Sequence, residues 1–196
     1  MDVEKYARWN KLIITKVSAQ KRPGRYNVFI DGKYAFSAGE KTLAEFVLLK
    51  GKELNDEQVE KIRQFDADAK ASDLAAHFLS YEPRTIFEVL QYLKKHEISD
   101  EAANSAVSQL NELGYLDDRQ YAKLFIKNDL RVGSDGPKIL LRKLTQKGVD
   151  PEISQDKLDE IDEEDWLEVG QRVIKSMSHQ VGKISQRELE RKMRTK

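Results

Sequence analysis

The segment ILLRKLTQKGVD, residues 139–150, matches in outline the segment EVLQYLKKHEIS, residues 88–99, which begins 51 residues earlier. When Leu144 is aligned with Leu93, apolar residues elsewhere in the two regions fall into the same register. The further aligned pairs are Ala71 with Ala122, Leu74 with Phe125, Leu90 with Leu141, and Ile98 with Val149. A third copy lies about 49 residues later, where Met193 takes the position of Leu144. A period near 50 residues indicates an array of repeated supersecondary units.

Helix-start signals recur within each repeat. We predict that the second helix of each repeat begins at Thr85, Gly136 and Ser185, and that the third helix begins at Ser99 and Asp150. Thr85 and Ser185 each stand three residues before a glutamate, which is the capping-box pattern, and Pro137 follows Gly136 at the first helical position. Apolar residues within the helices recur at i, i+3 and i+4. The sequence therefore predicts tandem three-helix repeats.

The N-terminal region has the pattern of a small sheet. LIITKVSA (residues 12–19) and RYNVFI (residues 25–30) are rich in β-branched and aromatic residues, and Pro23-Gly24 marks a turn between them. Asp31-Gly32 predicts a two-residue type I′ turn into a third strand. A helix is then predicted over residues 40–49.

We expect Gly51 to end that helix and Asn55 to start another, with Gln58 completing a capping box. The predicted fold is mainly α-helical, an elongated, curved array of three-helix repeats preceded by a small β-hairpin region. The predicted parts are residues 1–53 (hairpin region with one helix), 54–116 (linking helix and repeat 1), 117–164 (repeat 2) and 165–196 (incomplete repeat 3). Since repeat 3 has no third helix, we expect residues 179–196 to be weakly supported.

Composition narrows the class of protein. The 196 residues are 39% hydrophobic and 35% charged, with a mean hydropathy of −0.67 and a net charge of zero, which is typical of a charge-rich helical protein. No apolar run approaches the length of a membrane span, and the N-terminus lacks a signal-peptide pattern. The absence of cysteine excludes disulfides and thiolate chemistry. We therefore predict a cytoplasmic protein with no membrane partner.

Asp117 and Asp118 are adjacent carboxylates where the second repeat begins. A metal or acid–base site needs several converging ligands, whereas aspartate recurs here about once per repeat. Asp66 takes the equivalent position in repeat 1, and Asp165 lies within one residue of it in repeat 3. This recurrence favours helix capping over catalysis, so we expect Asp117→Asn and Asp118→Asn to lower stability.

Known catalytic patterns are not found elsewhere in the sequence. The histidines at 77, 96 and 179 have no ligand spacing, and Gly133 and Gly136 do not fit a phosphate-binding loop. We therefore predict a protein that is not an enzyme and that uses no cofactor, no metal and no small-molecule substrate.

The predicted helix from Gly136 carries basic residues opposite its leucines. Lys138, Arg142, Lys143 and Lys147 occupy this face, and no acidic residue interrupts it before Val149. Lys94 and Lys95 partly repeat this character in the first repeat. Such a face can contact phosphates or an acidic protein surface, although an ordinary solvated face has the same composition. Secondary nucleic-acid candidates are the hairpin residues Lys21, Arg22 and Arg25.

Two strings across the second repeat, GYLDDRQYAKLFI (residues 114–126) and GPKILLRKLTQKGV (residues 136–149), carry a recognisable pattern. Its residues are Gly114, Tyr115, Leu116, Asp117, Asp118, Tyr121, Ala122, Phe125, Ile126, Gly136, Pro137, Ile139, Leu144, Lys147, Gly148 and Val149. In these positions the chain resembles the RecX family of bacterial recombination regulators, and its N-terminal strands are similar to the extension of Gram-positive members. The family often has a basic residue before Gly-Pro, where this chain has Asp135.

The resemblance implies a regulator that lies in the groove of the RecA recombinase filament and inhibits its ATPase and strand-exchange activities in recombination and repair. It also implies single-stranded DNA as a partner, directly or through RecA. An alternative is a protein that binds single-stranded DNA and acts without RecA. A steep salt dependence of DNA binding in the absence of RecA would favour that alternative.

Overall fold

The structure is a computed structural model and describes residues 11–177 of the chain. Within that range it has four strands, β1 Leu12–Ala19, β2 Arg25–Ile30, β3 Lys33–Gly39 and β4 Glu53–Leu54. Its eight described helices are α1 Glu40–Glu45, α2 Asp56–Leu79, α3 Ile86–Lys95, α4 Asp100–Glu112, α5 Asp118–Val132, α6 Pro137–Gln146, α7 Pro151–Asp159 and α8 Glu163–Met177. The predicted mainly α-helical fold with a small N-terminal sheet is confirmed. The predictions for Ser185, Met193 and residues 179–196 lie outside the described residues.

The chain divides into two compact units. Of the described residues, the first comprises residues 11–78 and Tyr92–Gln109, and the second comprises Leu79–Gln91 and residues 110–177. Because α3 and α4 each contribute residues to both units, the units differ from the sequence repeats, and the repeat boundaries given above stay predictions. Among residues 11–177, no helix combines the length and the apolar character needed to cross a bilayer.

The sheet of the first unit is antiparallel with strand order β3-β2-β1-β4. The type I′ turn is confirmed, because Ile30 pairs with Lys33 and the two residues between them have positive φ angles, 48° at Asp31 and 79° at Gly32. The sequence predicted three strands, and the short β4 was missed. β4 holds only two residues, which is too few for an alternation of apolar and polar side chains to be visible.

The predicted helix over residues 40–49 is wrong in length, since α1 ends at Glu45. Val47 takes a left-handed φ of 46°, and the Leu48 amide donates to the Leu43 carbonyl at 3.0 Å, a hydrogen bond typical of a Schellman helix end. This turn buries Leu48 to 1% exposure in the core of the first unit. Burial of Leu48 offsets the strain at Val47, so the helix stops before its apolar run does.

Asp66 is the position where the capping prediction is wrong. It lies inside α2, where a helix needs no cap, and its side chain is buried. Its carboxylate accepts hydrogen bonds from the Arg25 guanidinium at 2.8 and 3.1 Å, the Gly39 amide at 2.7 Å and the Thr42 hydroxyl at 2.8 Å. The carboxylate therefore connects the sheet and α1 to α2. The apolar core of this unit is formed by Ile14, Val28, Ile30, Phe36, Ala38, Leu48, Leu54, Val59 and Ile62.

The repeat is visible in the burial of aligned residues. Leu93 and Leu144 are both fully buried, as are Ala71 and Ala122. The capping box predicted at Thr85 is confirmed, because the Thr85 hydroxyl accepts from the Glu88 amide and the Glu88 carboxylate accepts from the Thr85 amide, each at 3.1 Å. The capping box of Asn55 and Gln58 is confirmed in the same way. The core of the second unit is formed by Ala122, Ile126, Leu140, Leu144, Val149 and Leu158.

Candidate protein and nucleic-acid interface

Helix α6 presents the main cationic face that the sequence predicted. Leu140 and Leu144 are fully buried and fix the orientation of the helix in the second unit. Lys138, Arg142 and Lys143 are exposed on its other side. The helix starts at Gly136 with Pro137 at its first position, and its first turn has no acidic residue. The structure therefore brings these three cations together on one solvent-facing surface, which we call the α6 face.

Asp135 reduces the net charge of the α6 face. Its carboxylate pairs with the Lys143 ammonium, and its amide donates to the Asp129 carboxylate at 3.2 Å. Partial burial raises the pKa of Asp129, so this carboxyl is less readily ionised than an exposed one. Neither Lys138 nor Arg142 has an ion pair within residues 11–177. These two residues are therefore the cations of the face most available to a partner.

Lys147 is engaged inside the second unit. Its ammonium donates to the Glu88 carboxylate at 2.7 Å and lies 5.7 Å from the centre of the Tyr121 ring. The Lys147 carbonyl accepts from the Thr85 hydroxyl at 2.6 Å, which holds the end of α6 against the start of α3. The hydrogen bond to Glu88 raises the pKa of Lys147, so the ammonium is charged throughout the physiological range. Lys147, predicted as a partner contact, thus has an internal structural role.

The two adjacent aspartates cap different helices. Asp117 is the N-cap of α5, and its carboxylate accepts from the amides of Arg119 at 2.8 Å and Gln120 at 3.1 Å. Asp118 instead accepts from the Ile86 amide at 3.0 Å and so caps the first turn of α3. Within the described part of the chain, no group of three or more His, Cys, Asp or Glu residues could hold a metal ion. The geometry of both carboxylates is that of helix caps.

A pH-dependent stability follows from Asp118. Burial raises the pKa of its carboxyl above 3.8, opposed by the hydrogen bond from Ile86 and assisted by the charges of Asp117 and Glu88. The carboxyl stabilises the folded protein at pH values below the pKa that it has in the unfolded chain. This stabilisation is lost as the pH rises through the higher pKa that it has in the folded protein. An asparagine still accepts from Ile86 but never ionises. We therefore expect the stability of Asp118→Asn, relative to the unsubstituted protein, to improve between acid and neutral pH, as measured by urea unfolding across that range. Parallel pH profiles would contradict this account.

The other motif residues have structural placements. Ala122 is fully buried against the α6 leucines, Gly136 is the N-cap of α6, and Gly114 lies in the turn that follows α4 with a φ of 75°. Gly148 has a φ of 82°, and a Cβ placed there would lie 2.2 Å from the Cβ of Phe87. Tyr115 differs from these residues, because 70% of its surface is exposed.

The remaining basic candidates lie in the first unit. Lys94 and Lys95 are exposed at the C-terminal end of α3, and Lys21 and Arg22 are exposed in the turn between β1 and β2. Arg25 is less available, since its guanidinium is held by the Asp66 carboxylate and only 25% of its side chain is exposed. The α6 face belongs to the second unit.

The long-range contacts of three residues were not predicted from the sequence. Glu88 binds Lys147, which is 59 residues away, and Asp66 binds Arg25, which is 41 residues away. Lys70 lies in the same groove as Arg22, although 48 residues separate them in the chain. Helical periodicity reports only which residues share a face, so it carries no signal for these long-range pairs.

Family profiles match two parts of the chain. The profile of the regulatory protein RecX N-terminal domain matches residues 12–55, and that of the RecX first three-helix domain matches residues 71–110. The Regulatory protein RecX of Lactobacillus delbrueckii subsp. bulgaricus is 58% identical over 184 residues, which are 94% of this chain and 68% of that protein. The Regulatory protein RecX of Lactobacillus gasseri is 55% identical over the same shares of the two chains.

Solved structures give the same result. A crystal structure described as that of regulatory protein RecX matches with a TM-score of 0.71 and 31% identity, over 93% of this chain and 90% of that chain. A crystal structure of RecX from Lactobacillus salivarius matches with a TM-score of 0.59 and 25% identity, over 66% of this chain and 84% of that chain. Both sequence and fold therefore relate the chain to proteins of this name.

Proposed function

Since the chain belongs to the RecX family of regulatory proteins, we propose that it binds the RecA recombinase filament and inhibits its ATPase and strand-exchange activities. The observation that carries the proposal is the α6 face, where Lys138 and Arg142 have no ion pair within residues 11–177 and Lys143 is held only by Asp135. A RecA filament on DNA presents phosphates and acidic side chains, and both attract such a face. The protein acts in the cytoplasm and by binding, without catalysis of its own.

The α6 face is suited to binding because a well-packed helix holds its charges in place. Leu140 and Leu144 anchor the helix, so little conformational entropy is lost in positioning Lys138 and Arg142 against a partner. Arginine can bind a phosphate or a carboxylate through two parallel hydrogen bonds, which a lysine cannot. Arg142 is therefore the residue that we expect to contribute most to the contact.

Charge reversal tests the proposal. We expect Arg142→Glu/Lys143→Glu to weaken inhibition of the RecA ATPase on single-stranded DNA by about tenfold or more, because attraction is replaced by repulsion. Both residues are exposed, so the helical circular dichroism should not change. The matched control is Lys123→Glu/Lys127→Glu on α5, which reverses two exposed charges of the same unit. Unchanged inhibition of the RecA ATPase by Arg142→Glu/Lys143→Glu would show that inhibition does not depend on the α6 face.

Asp135 supplies a test in the opposite direction. Asp135→Asn removes the carboxylate that pairs with Lys143 and adds one net positive charge to the α6 face. Inhibition should then become stronger and more sensitive to salt, since an additional cation is available to the partner. If inhibition instead weakens, Asp135 is itself a contact residue.

Inhibition can arise by blocking RecA addition at filament ends or by bridging and straining neighbouring subunits. Blocking needs about one molecule per filament end, whereas bridging needs a number of molecules that grows with filament length. The two mechanisms are separated by titrating the RecA ATPase with this protein at several lengths of single-stranded DNA. Only bridging predicts that the number of molecules per RecA monomer needed for half inhibition is the same at every length.

A second function is binding of single-stranded DNA without RecA. The observation that favours it is a group of cations in the first unit, Arg22, Lys41 and Lys70, that have no ion pair within residues 11–177 and line one groove. Phosphate contacts of this kind give sequence-independent binding that weakens steeply with salt. Binding of labelled single-stranded DNA in the absence of RecA tests this function separately from ATPase inhibition.

A further inference from the structure

The first unit has an open groove of about 960 Å³ beside the turn between β1 and β2. Its cationic lining comes from three parts of the fold: Arg22 from the turn, Lys41 from α1 and Lys70 from α2. We call it the hairpin groove. All three side chains belong to exposed residues, and none has an ion pair in the described range of the chain.

The wall of the hairpin groove is held in place by the Asp66 cluster, in which Arg25, Gly39 and Thr42 donate hydrogen bonds to the Asp66 carboxylate. Arg25 lines the groove while its guanidinium is fixed by Asp66, and Gly39 lines it while its amide donates to the same carboxylate. The turn and α1 are therefore joined to α2, which carries Lys70. This rigidity means that the three free cations face the groove without a large loss of entropy on binding.

Aromatic rings continue from one side of the hairpin groove. His96 lines the groove, is exposed, and packs on Tyr92 with 4.5 Å between ring centres. Tyr92 in turn stacks on Phe78 with 4.1 Å between centres and an angle of 1° between the ring planes. The imidazole plane is tilted by 53° from the Tyr92 ring, so His96 is an exposed ring that rests against a stacked pair of aromatic rings.

A cationic groove next to a supported exposed ring is the arrangement used to bind single-stranded nucleic acid. The cations follow the phosphate backbone, and a ring stacks with an unpaired base. In a duplex the base faces are covered by their neighbours, so an exposed ring at the groove has nothing to stack on. We propose that the hairpin groove binds single-stranded nucleic acid, with phosphates along Arg22, Lys41 and Lys70 and one base against His96.

Two carboxylates in the hairpin groove limit its affinity. Glu40 accepts from the Tyr26 hydroxyl at 3.3 Å, and Asp73 is exposed on α2, one helical turn from Lys70. Both carboxylates repel phosphate and so weaken binding of a nucleic acid at physiological salt. Strong binding requires that several cations of the groove contact phosphates at the same time. This inference rests on the second of the proposed functions and is independent of inhibition through the α6 face.

The test is fluorescence anisotropy of a labelled thymidine oligonucleotide with the full chain, without RecA, over a series of salt concentrations. Lys70→Gln should bind about three- to tenfold more weakly, and its log–log salt dependence should be less steep by roughly 0.7, the value for one lost phosphate contact on a single strand. Asp73→Asn should bind more tightly. His96→Ala should weaken binding about fivefold or more with little change in the salt dependence, because it removes the stacking ring and leaves Arg22, Lys41 and Lys70 in place.

The matched control is Lys61→Gln, an exposed lysine on the same helix that does not line the hairpin groove. It should bind like the unsubstituted protein. If the unsubstituted protein does not bind the oligonucleotide, both this inference and DNA binding as a function fail. If it binds but Lys70→Gln and Lys61→Gln behave alike, only the groove assignment fails. Equal competition by a duplex of the same length would overturn the assignment to single strands.

Discussion

Asp66→Ala is expected to destabilise the first unit by about 3 kcal/mol, toward the lower end of the range for breaking a buried ion pair. Asp66 is 8% exposed, and its carboxylate accepts from Arg25, Gly39 and Thr42. Removing it leaves a guanidinium, a backbone amide and a fully buried hydroxyl without their acceptor. The effect lies at the lower end because 25% of the Arg25 side chain reaches solvent and can be hydrated. Urea unfolding followed by circular dichroism measures the loss.

Other variants at this cluster identify which interaction carries the effect. Arg25→Met leaves Asp66 with two donors, so we expect a loss of about 1–2 kcal/mol, smaller than that of Asp66→Ala. Asp66→Asn keeps an acceptor for Gly39 and Thr42, so its loss of stability should lie between those of Asp66→Ala and Arg25→Met. Glu60→Ala, at an exposed position of the same helix, is the control and should change stability by less than about 0.5 kcal/mol. An Arg25→Met variant less stable than Asp66→Ala would show that the ion pair, and not the acceptor role of Asp66, dominates.

The Asp66 cluster marks the limit of what could be predicted of the fold. Strand and helix positions were predictable where local chemistry determines them, as at the Asp31-Gly32 turn and the capping box of Thr85 and Glu88. α1 was predicted too long because the apolar run continues to Leu49, whereas the gain from burying Leu48 depends on a sheet that is distant in sequence. The role of Asp66 depends on the same tertiary packing, and repeat alignment alone therefore assigned it wrongly.

The candidate interface was predictable to a similar extent. The sequence placed Lys138, Arg142 and Lys143 on the exposed side of a helix, because the leucine spacing fixes which side is buried. It could not show that Lys147 is engaged by Glu88, which depends on how α6 ends against α3. It also could not show that Lys70 joins Arg22 in one groove, because a helix wheel contains no information about the neighbouring sheet.

Gly148→Ala is expected to destabilise the second unit by about 2–5 kcal/mol. Gly148 has a φ of 82°, a conformation that costs an alanine about 1–2 kcal/mol. In addition, the new Cβ would lie 2.2 Å from the Cβ and 2.4 Å from the Cγ of Phe87. The Cβ of Phe87 is fixed to the backbone of α3, so the contact can be relieved only by moving α3 from the end of α6, at a further cost of about 1–3 kcal/mol. That movement would also separate Lys147 from Glu88.

Gly114→Ala separates the two causes. Gly114 has a similar φ of 75°, but a Cβ there has no atom within 4 Å. Its cost is then backbone strain alone, reduced by the lower entropy of the unfolded alanine chain, and we expect about 1 kcal/mol or less. The difference between the two variants in urea unfolding measures the contact with Phe87. Similar losses at both positions would mean that α3 moves aside at little cost.

Substitution of Phe87 tests the contact directly. Phe87→Ala removes Cγ and the ring but keeps the Cβ, so combined with Gly148→Ala it should recover only part of the loss. Phe87→Gly removes the Cβ as well, and we expect a larger coupling with Gly148→Ala in a double-mutant cycle, after the cost of glycine in a helix is subtracted. Equal coupling for the two substitutions would show that the ring, and not the close approach of the two backbones, requires glycine at position 148. A larger coupling for Phe87→Gly would show that the motif ends in Lys147-Gly148 because two backbones approach closely there. No partner contact at Gly148 would then be needed to explain the glycine.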